Sequence, residues 1–198
     1  MGGRQDSQIF TLMPKYISTE AIVINKSRRR EGDLLITLLT PKLGKINCLA
    51  RGAQTLKSRR LGHLEIGTII KTSLYNNNSF YWLSETESLS AFLHPSSFLS
   101  QINLLFYFLE IVNKLLPFEQ TQEEIYPIVI KGVSSISQNK FSAFIKSEII
   151  FLDKLGYGLP PEIISSFEKN DYKGTQALIK NYCESIIEKP LYSHKLFN

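Results

Sequence analysis

Residues 44–64 read GKINCLARGAQTLKSRRLGHL. Lys45, Asn47, Leu49 and Arg51 alternate with Ile46, Cys48 and Ala50, the period of two that marks a half-buried strand. Gly52 ends the alternation, and a polar loop carrying Lys57, Arg59 and Arg60 follows. Gly62 closes the loop, and a second apolar alternation begins at Leu64. A basic loop between two strands has no core to join. Its cations are free to face a polyanion, and phosphate is the commonest one. A plain solvated surface loop has the same composition, so the loop alone does not decide between the two.

The same signals continue on both sides. Residues 16–26 form a first strand through Ile17 and Ala21-Ile22-Val23-Ile24, and Ser27-Arg28-Arg29-Arg30-Glu31-Gly32 is a turn with three consecutive arginines. Residues 33–40 make a second strand, Pro41-Lys42-Leu43-Gly44 a tight turn, and residues 45–51 the third. Residues 64–75 make the fourth. Asn76-Asn77-Asn78-Ser79 can supply the positive φ of a hairpin turn, and residues 80–86 complete the set. Five short β-branched strands with regular turn signals predict a small barrel, and the basic loop fits a five-stranded oligonucleotide-binding (OB) barrel. The arginines of the first turn and the cations of the strand 3–4 loop would then line one wall. Pattern alone leaves open whether those loops meet.

Beyond residue 90 the period changes. Pro95-Ser96-Ser97 offers a helix start, residues 98–116 are apolar almost all round, and Pro117 stops them, the pattern of a central buried helix. Thr121-Gln122-Glu123-Glu124 reads as a capping box opening a helix to about Ser137. A helix over 141–155 ends at Gly156, and shorter ones are expected over 162–169 and 175–189. The fold class is therefore α+β: a flexible tail over 1–15, an OB-fold nucleic-acid-binding domain over 16–90, and an all-α helical domain over 91–198 that lacks a zinc module.

Charge follows the same division. Residues 1–90 hold 13 Lys and Arg against 7 Asp and Glu, a balance of +6, while residues 91–198 hold 10 against 11, a balance of −1. All seven arginines precede residue 61. Arginine's planar fork suits phosphate and stacks on bases. Cys48 and Cys183 are too few for a disulfide framework or a four-cysteine metal site, and they read as buried thiols of a reducing compartment. The polar start shows no secretory signal, and residues 102–116 are too short and too charged to span a membrane. A cytoplasmic, nucleoid-associated protein with no membrane contact is expected.

No constellation for catalysis stands out. There is no Gly-rich phosphate loop, no H-E-x-x-H and no Cys-x-x-Cys; His63, His94 and His194 are scattered, and Glu85 and Glu87 read as a charged rim. The expectation is a binding protein without enzymatic activity or cofactor. Its DNA-binding set is Arg28, Arg29, Arg30, Lys45, Arg51, Lys57, Arg59 and Arg60. Lys45 and Arg51 share parity and so project from one sheet face. Tyr81 and Trp82 face opposite ways; Tyr81 is the candidate for base stacking, and Trp82 is assigned to the core. Many phosphate contacts without a base-reading helix predict weak sequence preference and binding that falls steeply with salt. An OB-fold RNA-binding or ribosome-associated structural protein is the alternative, and a preference for RNA through 2′-OH contacts would support it.

The runs Thr19-Glu20-Ala21-Ile22-Val23, Glu31-Gly32-Asp33-Leu34-Leu35, Gly44-Lys45-Ile46, Ala50-Arg51-Gly52-Ala53, Lys57-Ser58-Arg59 and Gly62-His63-Leu64 resemble the bacterial recombination mediator family RecO. So do Leu155-Gly156-Tyr157-Gly158 and the closing Pro190-Leu191-Tyr192-Ser193-His194-Lys195. The resemblance implies DNA repair and recombination through binding of single- and double-stranded DNA and annealing of complementary strands. It implies partnership with RecR, contact with the acidic C-terminal tail of single-stranded-DNA-binding protein, and help in loading RecA. Many members carry a four-cysteine zinc module after the Leu-Gly-Tyr segment; here residues 160–189 hold only Cys183, too few ligands for zinc. The partner tail needs an apolar cleft beside a cation, for which Ile125, Ile128, Val129 and Lys131 are the candidates.

Overall fold

The computed structural model describes residues 15–29, 32–53, 61–77, 80–91 and 98–193. The expected tail over 1–15 therefore lies outside the described residues except for Lys15. Five strands, β1 (Tyr16–Arg28), β2 (Leu34–Thr40), β3 (Gly44–Ala50), β4 (Ile69–Asn76) and β5 (Tyr81–Ser90), close into a barrel in the order β1-β2-β3-β5-β4. All pairings are antiparallel except the short parallel closure of β3 on β5, Cys48 opposite Tyr81 and Leu49 opposite Trp82. The helices α1 (Leu99–Leu115), α2 (Ile125–Ser137), α3 (Phe141–Lys154), α4 (Pro161–Glu168) and α5 (Tyr172–Ile187) follow. An OB-type barrel followed by an all-α half is the fold that the periodicities predict.

Alternation fills the barrel. Ala21, Val23, Leu34, Ile36, Leu38, Ile46, Cys48, Ala50, Ile70, Leu74, Tyr81 and Leu83 point inward and are buried. The outer face of β1 and β2 is buried too at Ile22, Ile24 and Leu39, which belong to the core of the helical half. That explains why residues 21–24 are apolar without a gap: both faces are covered. Each such side chain contributes roughly 1.5–3 kcal/mol on burial. At the centre of the helical core Phe108 of α1 meets Phe144 and Phe151 of α3 edge-on, with ring centroids 5.4 and 6.2 Å apart.

Several local expectations yield to tertiary contacts. The fourth strand begins at Ile69 rather than at residue 64, because Leu61–Leu64 form a 3-10 turn that drops Leu64 into the barrel. β1 runs on through Arg28, which pairs with Leu34, so the first of the three arginines is a strand residue. The capping box before α2 does not form. Glu124 occupies the cap position without a side-chain bond, and the Thr121 hydroxyl instead donates to the Lys42 carbonyl of the β2–β3 turn, 3.1 Å away. The link between α1 and α2 is thereby fastened to that hairpin. Gln122 N–H donates to Pro41 O at 2.8 Å and Glu119 N–H to Lys45 O at 2.9 Å. Gly44, at φ +68°, sits where a Cβ would overlap the Gln120 carbonyl.

The chain returns to α1 at its end. Leu191 is buried, and the Glu110 carboxylate accepts the N–H groups of Tyr192 and Ser193 at 2.9 and 2.8 Å. Burial pushes the Glu110 carboxyl up, but these two donors and Lys114 outweigh it and hold the group below its ordinary value.

Candidate nucleic-acid interface

β3 sorts its residues cleanly. Ile46, Cys48 and Ala50 face the barrel interior, so Lys45, Asn47, Leu49 and Arg51 face outward, as period two requires. The two cations on that face have opposite surroundings. Lys45 is only 4% exposed. Its ammonium donates to the Asn113 carbonyl in the last turn of α1 at 2.6 Å and lies 4.1 Å from the centre of the Phe118 ring. A helix's last carbonyls lack intrahelical partners and carry the negative end of its dipole, so Lys45 caps α1 from a neighbouring strand. Burial lowers its pKa. Lys45 is thus part of the seam between the two halves, and its assignment to phosphate binding is corrected: parity gave the face, but α1 and the segment after it cover that end.

Arg51, one residue beyond the strand, is exposed, and its guanidinium lies over the ring of Trp82 at 4.1 Å. Tyr81 and Trp82 exchange their expected positions. Tyr81, opposite Cys48, is inside the barrel and 8% exposed, with its hydroxyl pushed up by burial and then by Glu119. Trp82, opposite Leu49, is on the outside and half-buried. Tyr81 is therefore not available to a base.

Asp33 answers the question that pattern left open. Its backbone carbonyl accepts the Arg29 N–H at 2.9 Å, and its carboxylate accepts the Gly52 N–H at 2.7 Å. One residue thus ties the β1–β2 turn to the exit of β3 and gathers exposed Arg28, Arg29 and Arg51 at one end of the barrel. Arg30, Lys57, Arg59 and Arg60 lie outside the described residues. Another stretch of the wall is different in charge. Glu20, Lys71 and Glu87 pair across β1, β4 and β5, and Glu85 and Glu87 line an open polar groove with Ser18 and Thr86. A polyanion is favoured at the first end and disfavoured at the second.

In the helical half, the expected peptide cleft is redrawn. Ile125 and Val129 are core residues and Ile128 packs against the same core, so they offer little to a partner. Lys131 is exposed and lines a groove of about 560 Å³ between α2 and α3, whose apolar wall is Tyr126, Pro127, Ile130 and Ala143, with Lys140 at its edge. Both thiols are buried, Cys48 in the barrel and Cys183 in the helical core, and burial pushes each up to about 12.

Residues 13–92 match the family described as Recombination protein O N terminal. Over 141 residues the chain is 30% identical to the DNA repair protein RecO of Roseiflexus sp. (strain RS-1), covering 70% of this chain and 50% of that one. It is 26% identical over 171 residues to the DNA repair protein RecO of Dehalococcoides mccartyi (strain CBDB1), covering 85% and 66%. With the DNA repair protein RecO of Clostridium novyi (strain NT) it shares 27% over 143 residues, 71% of this chain and 56% of that one. The matches span about half to two thirds of the length of these curated relatives.

Proposed function

We propose, from the match of residues 13–92 to the RecO N-terminal family, that this chain is a non-enzymatic DNA-binding mediator of repair and recombination. The observation that carries the reading is the Asp33 tie, which brings Arg28, Arg29 and Arg51 to one end of the barrel. Guanidinium groups gathered there neutralise phosphates on single- or double-stranded DNA. Two strands held against one basic surface repel each other less, which is how such a surface promotes annealing. The helical half docks protein partners. In this reading the groove beside Lys131 receives the acidic, hydrophobic-ended tail of single-stranded-DNA-binding protein, and partnership with RecR and help in loading RecA follow from the family likeness. A cytoplasmic, nucleoid-associated location goes with it; no helix among the described residues is long and apolar enough to cross a membrane.

The test is fluorescence anisotropy of labelled single-stranded DNA, duplex and matched RNA across a salt series, with the native chain and Arg28→Ala/Arg29→Ala/Arg51→Ala. Each lost phosphate contact flattens the log–log salt slope for a single strand by about 0.7, so the triple variant should be shallower by about 2. An unchanged slope removes this end of the barrel from the interface. A marked RNA preference moves the reading to a structural RNA-binding protein.

A further inference from the structure

The outer surface of the barrel carries a row of rings that no core claims. Following the register sideways from β1, Tyr16 stands opposite Tyr75, Tyr75 opposite Trp82, and Trp82 opposite Leu49. Cross-strand partners point to the same side, and the residues flanking these positions, Leu74, Tyr81, Leu83 and Cys48, fill the barrel. So Tyr16, Tyr75, Trp82 and Leu49 face outward in one line. Tyr16 is 66% exposed, and the others are half-buried. The Tyr16 and Tyr75 rings are tilted with centroids 5.2 Å apart, and Phe80 extends the line by an edge contact to Trp82 at 6.2 Å.

Outward apolar residues on the side of the barrel that faces the helices have a partner. Ile22, Ile24 and Leu39 are covered by the helical half, and Phe118 carries the buried Lys45. Tyr16, Tyr75 and Trp82 join neither hydrophobic cluster. They are flanked by cations: the Lys15 ammonium is 5.4 Å from the Tyr75 ring centre, and the Arg51 guanidinium covers Trp82. Rings interleaved with cations suit a ligand that is itself flat, apolar on its faces and anionic along its backbone.

We infer that this row is a base-stacking subsite for single-stranded DNA, set beside the arginine end and separate from phosphate neutralisation. The inference rests on the DNA-binding reading above. Three rings on three adjacent strands span about 10 Å at a strand spacing of about 4.8 Å. That is room for about three bases at a stacked rise of about 3.4 Å. Duplex bases already cover one another's faces and cannot use the row. The arginines should therefore serve single and double strands alike, while the rings should favour single strands. The row also has a defined limit: along β4 the next outward positions lead to Ser73 and Lys71, where Glu85 and Glu87 repel phosphate.

Trp82 is the chain's one tryptophan and reports directly on stacking. The probes are a short oligothymidylate and an abasic deoxyribose-phosphate chain of the same length, followed by anisotropy for binding and by tryptophan emission for stacking. The expected result is that both bind, that only oligothymidylate quenches Trp82, and that it binds several-fold to a hundredfold tighter. Tyr75→Ala should bring the two affinities within about threefold of one another. Tyr16→Ser should narrow the gap as well, and at 66% exposure it leaves the fold intact. Equal affinities with no change in Trp82 emission would overturn the subsite while leaving DNA binding in place. Failure of both probes and of duplex to bind would overturn the DNA-binding reading, and the subsite with it.

Discussion

Lys45 and Arg51 are cations at the two ends of one strand and on one sheet face, yet they live in different solvents. At the Lys45 end the α1–α2 link lies on the β2–β3 hairpin, and the ammonium is spent on a helix carbonyl and a phenyl ring. At the Arg51 end no helix among the described residues intervenes, and the guanidinium rests on a half-exposed indole beside two further arginines. The contrast separates two questions. Periodicity decides which way a side chain points; what lies opposite decides whether that direction is wet. A charge count assigns both residues to a polyanion, and the fold keeps one of them for itself.

The comparison can be broken most severely at Gly44. Gly44→Ala places a Cβ against the Gln120 backbone at a φ that L-residues avoid. It should cost on the order of 3 kcal/mol or more in urea unfolding by separating the hairpin from the link. Lys45→Met comes next. It removes a buried charge but leaves the Asn113 carbonyl unpartnered, so a loss of about 1–3 kcal/mol is expected with the DNA salt slope unchanged. A flattened slope would return Lys45 to the interface.

Another buried ionisable group sharpens the point, because it lacks what Lys45 has. Glu148 of α3 is buried, and its carboxylate has no well-formed hydrogen bond among the described residues; the Tyr107 hydroxyl beside it interacts only outside ordinary hydrogen-bond geometry. Burial raises its pKa well above the ordinary 4.5, against a smaller opposing effect of Tyr107. The sign follows from linkage. Above about pH 4.5 the unfolded chain releases this proton and the folded chain keeps it, so stability is lost as pH rises through that window. Glu148→Met should therefore match the native chain at pH 4 and exceed it by about 1–3 kcal/mol at pH 8, read by urea midpoints at both values. The smallest effect belongs to Arg51→Ala, whose thermal unfolding should shift by no more than about 0.5 kcal/mol while single-strand affinity falls.

What the sequence made legible follows from the range of each interaction. The alternation in β3 is local, and it placed Ile46, Cys48 and Ala50 inside without help. The fate of Lys45 depended on Asn113, 68 residues away, and no window on the strand contains it. Phe80-Tyr81-Trp82-Leu83 is apolar throughout, so period two could not say which of the two faces was the inner one. The pairing of Cys48 with Tyr81 decides that, and with it which ring can meet a ligand. The capping signature at Thr121 fails because its hydroxyl donates to a carbonyl on the barrel, a contact 79 residues away in sequence. Asp33 was the residue that sequence reasoning missed. A lone aspartate after a glycine carries no signal that it will join two turns.

The seam at Gly44 makes this molecule a jig rather than a pair of tongs. Backbone is fastened to backbone there at Lys45 and Pro41, the Thr121 hydroxyl adds a bond to the Lys42 carbonyl, and a Cβ at Gly44 would overlap the Gln120 backbone. The interval between the arginine end of the barrel and the groove beside Lys131 is then a constant of the molecule. In the proposed reading a strand at one and a peptide at the other would be presented at a single separation, and any change in that distance would come from the ligands sliding or letting go.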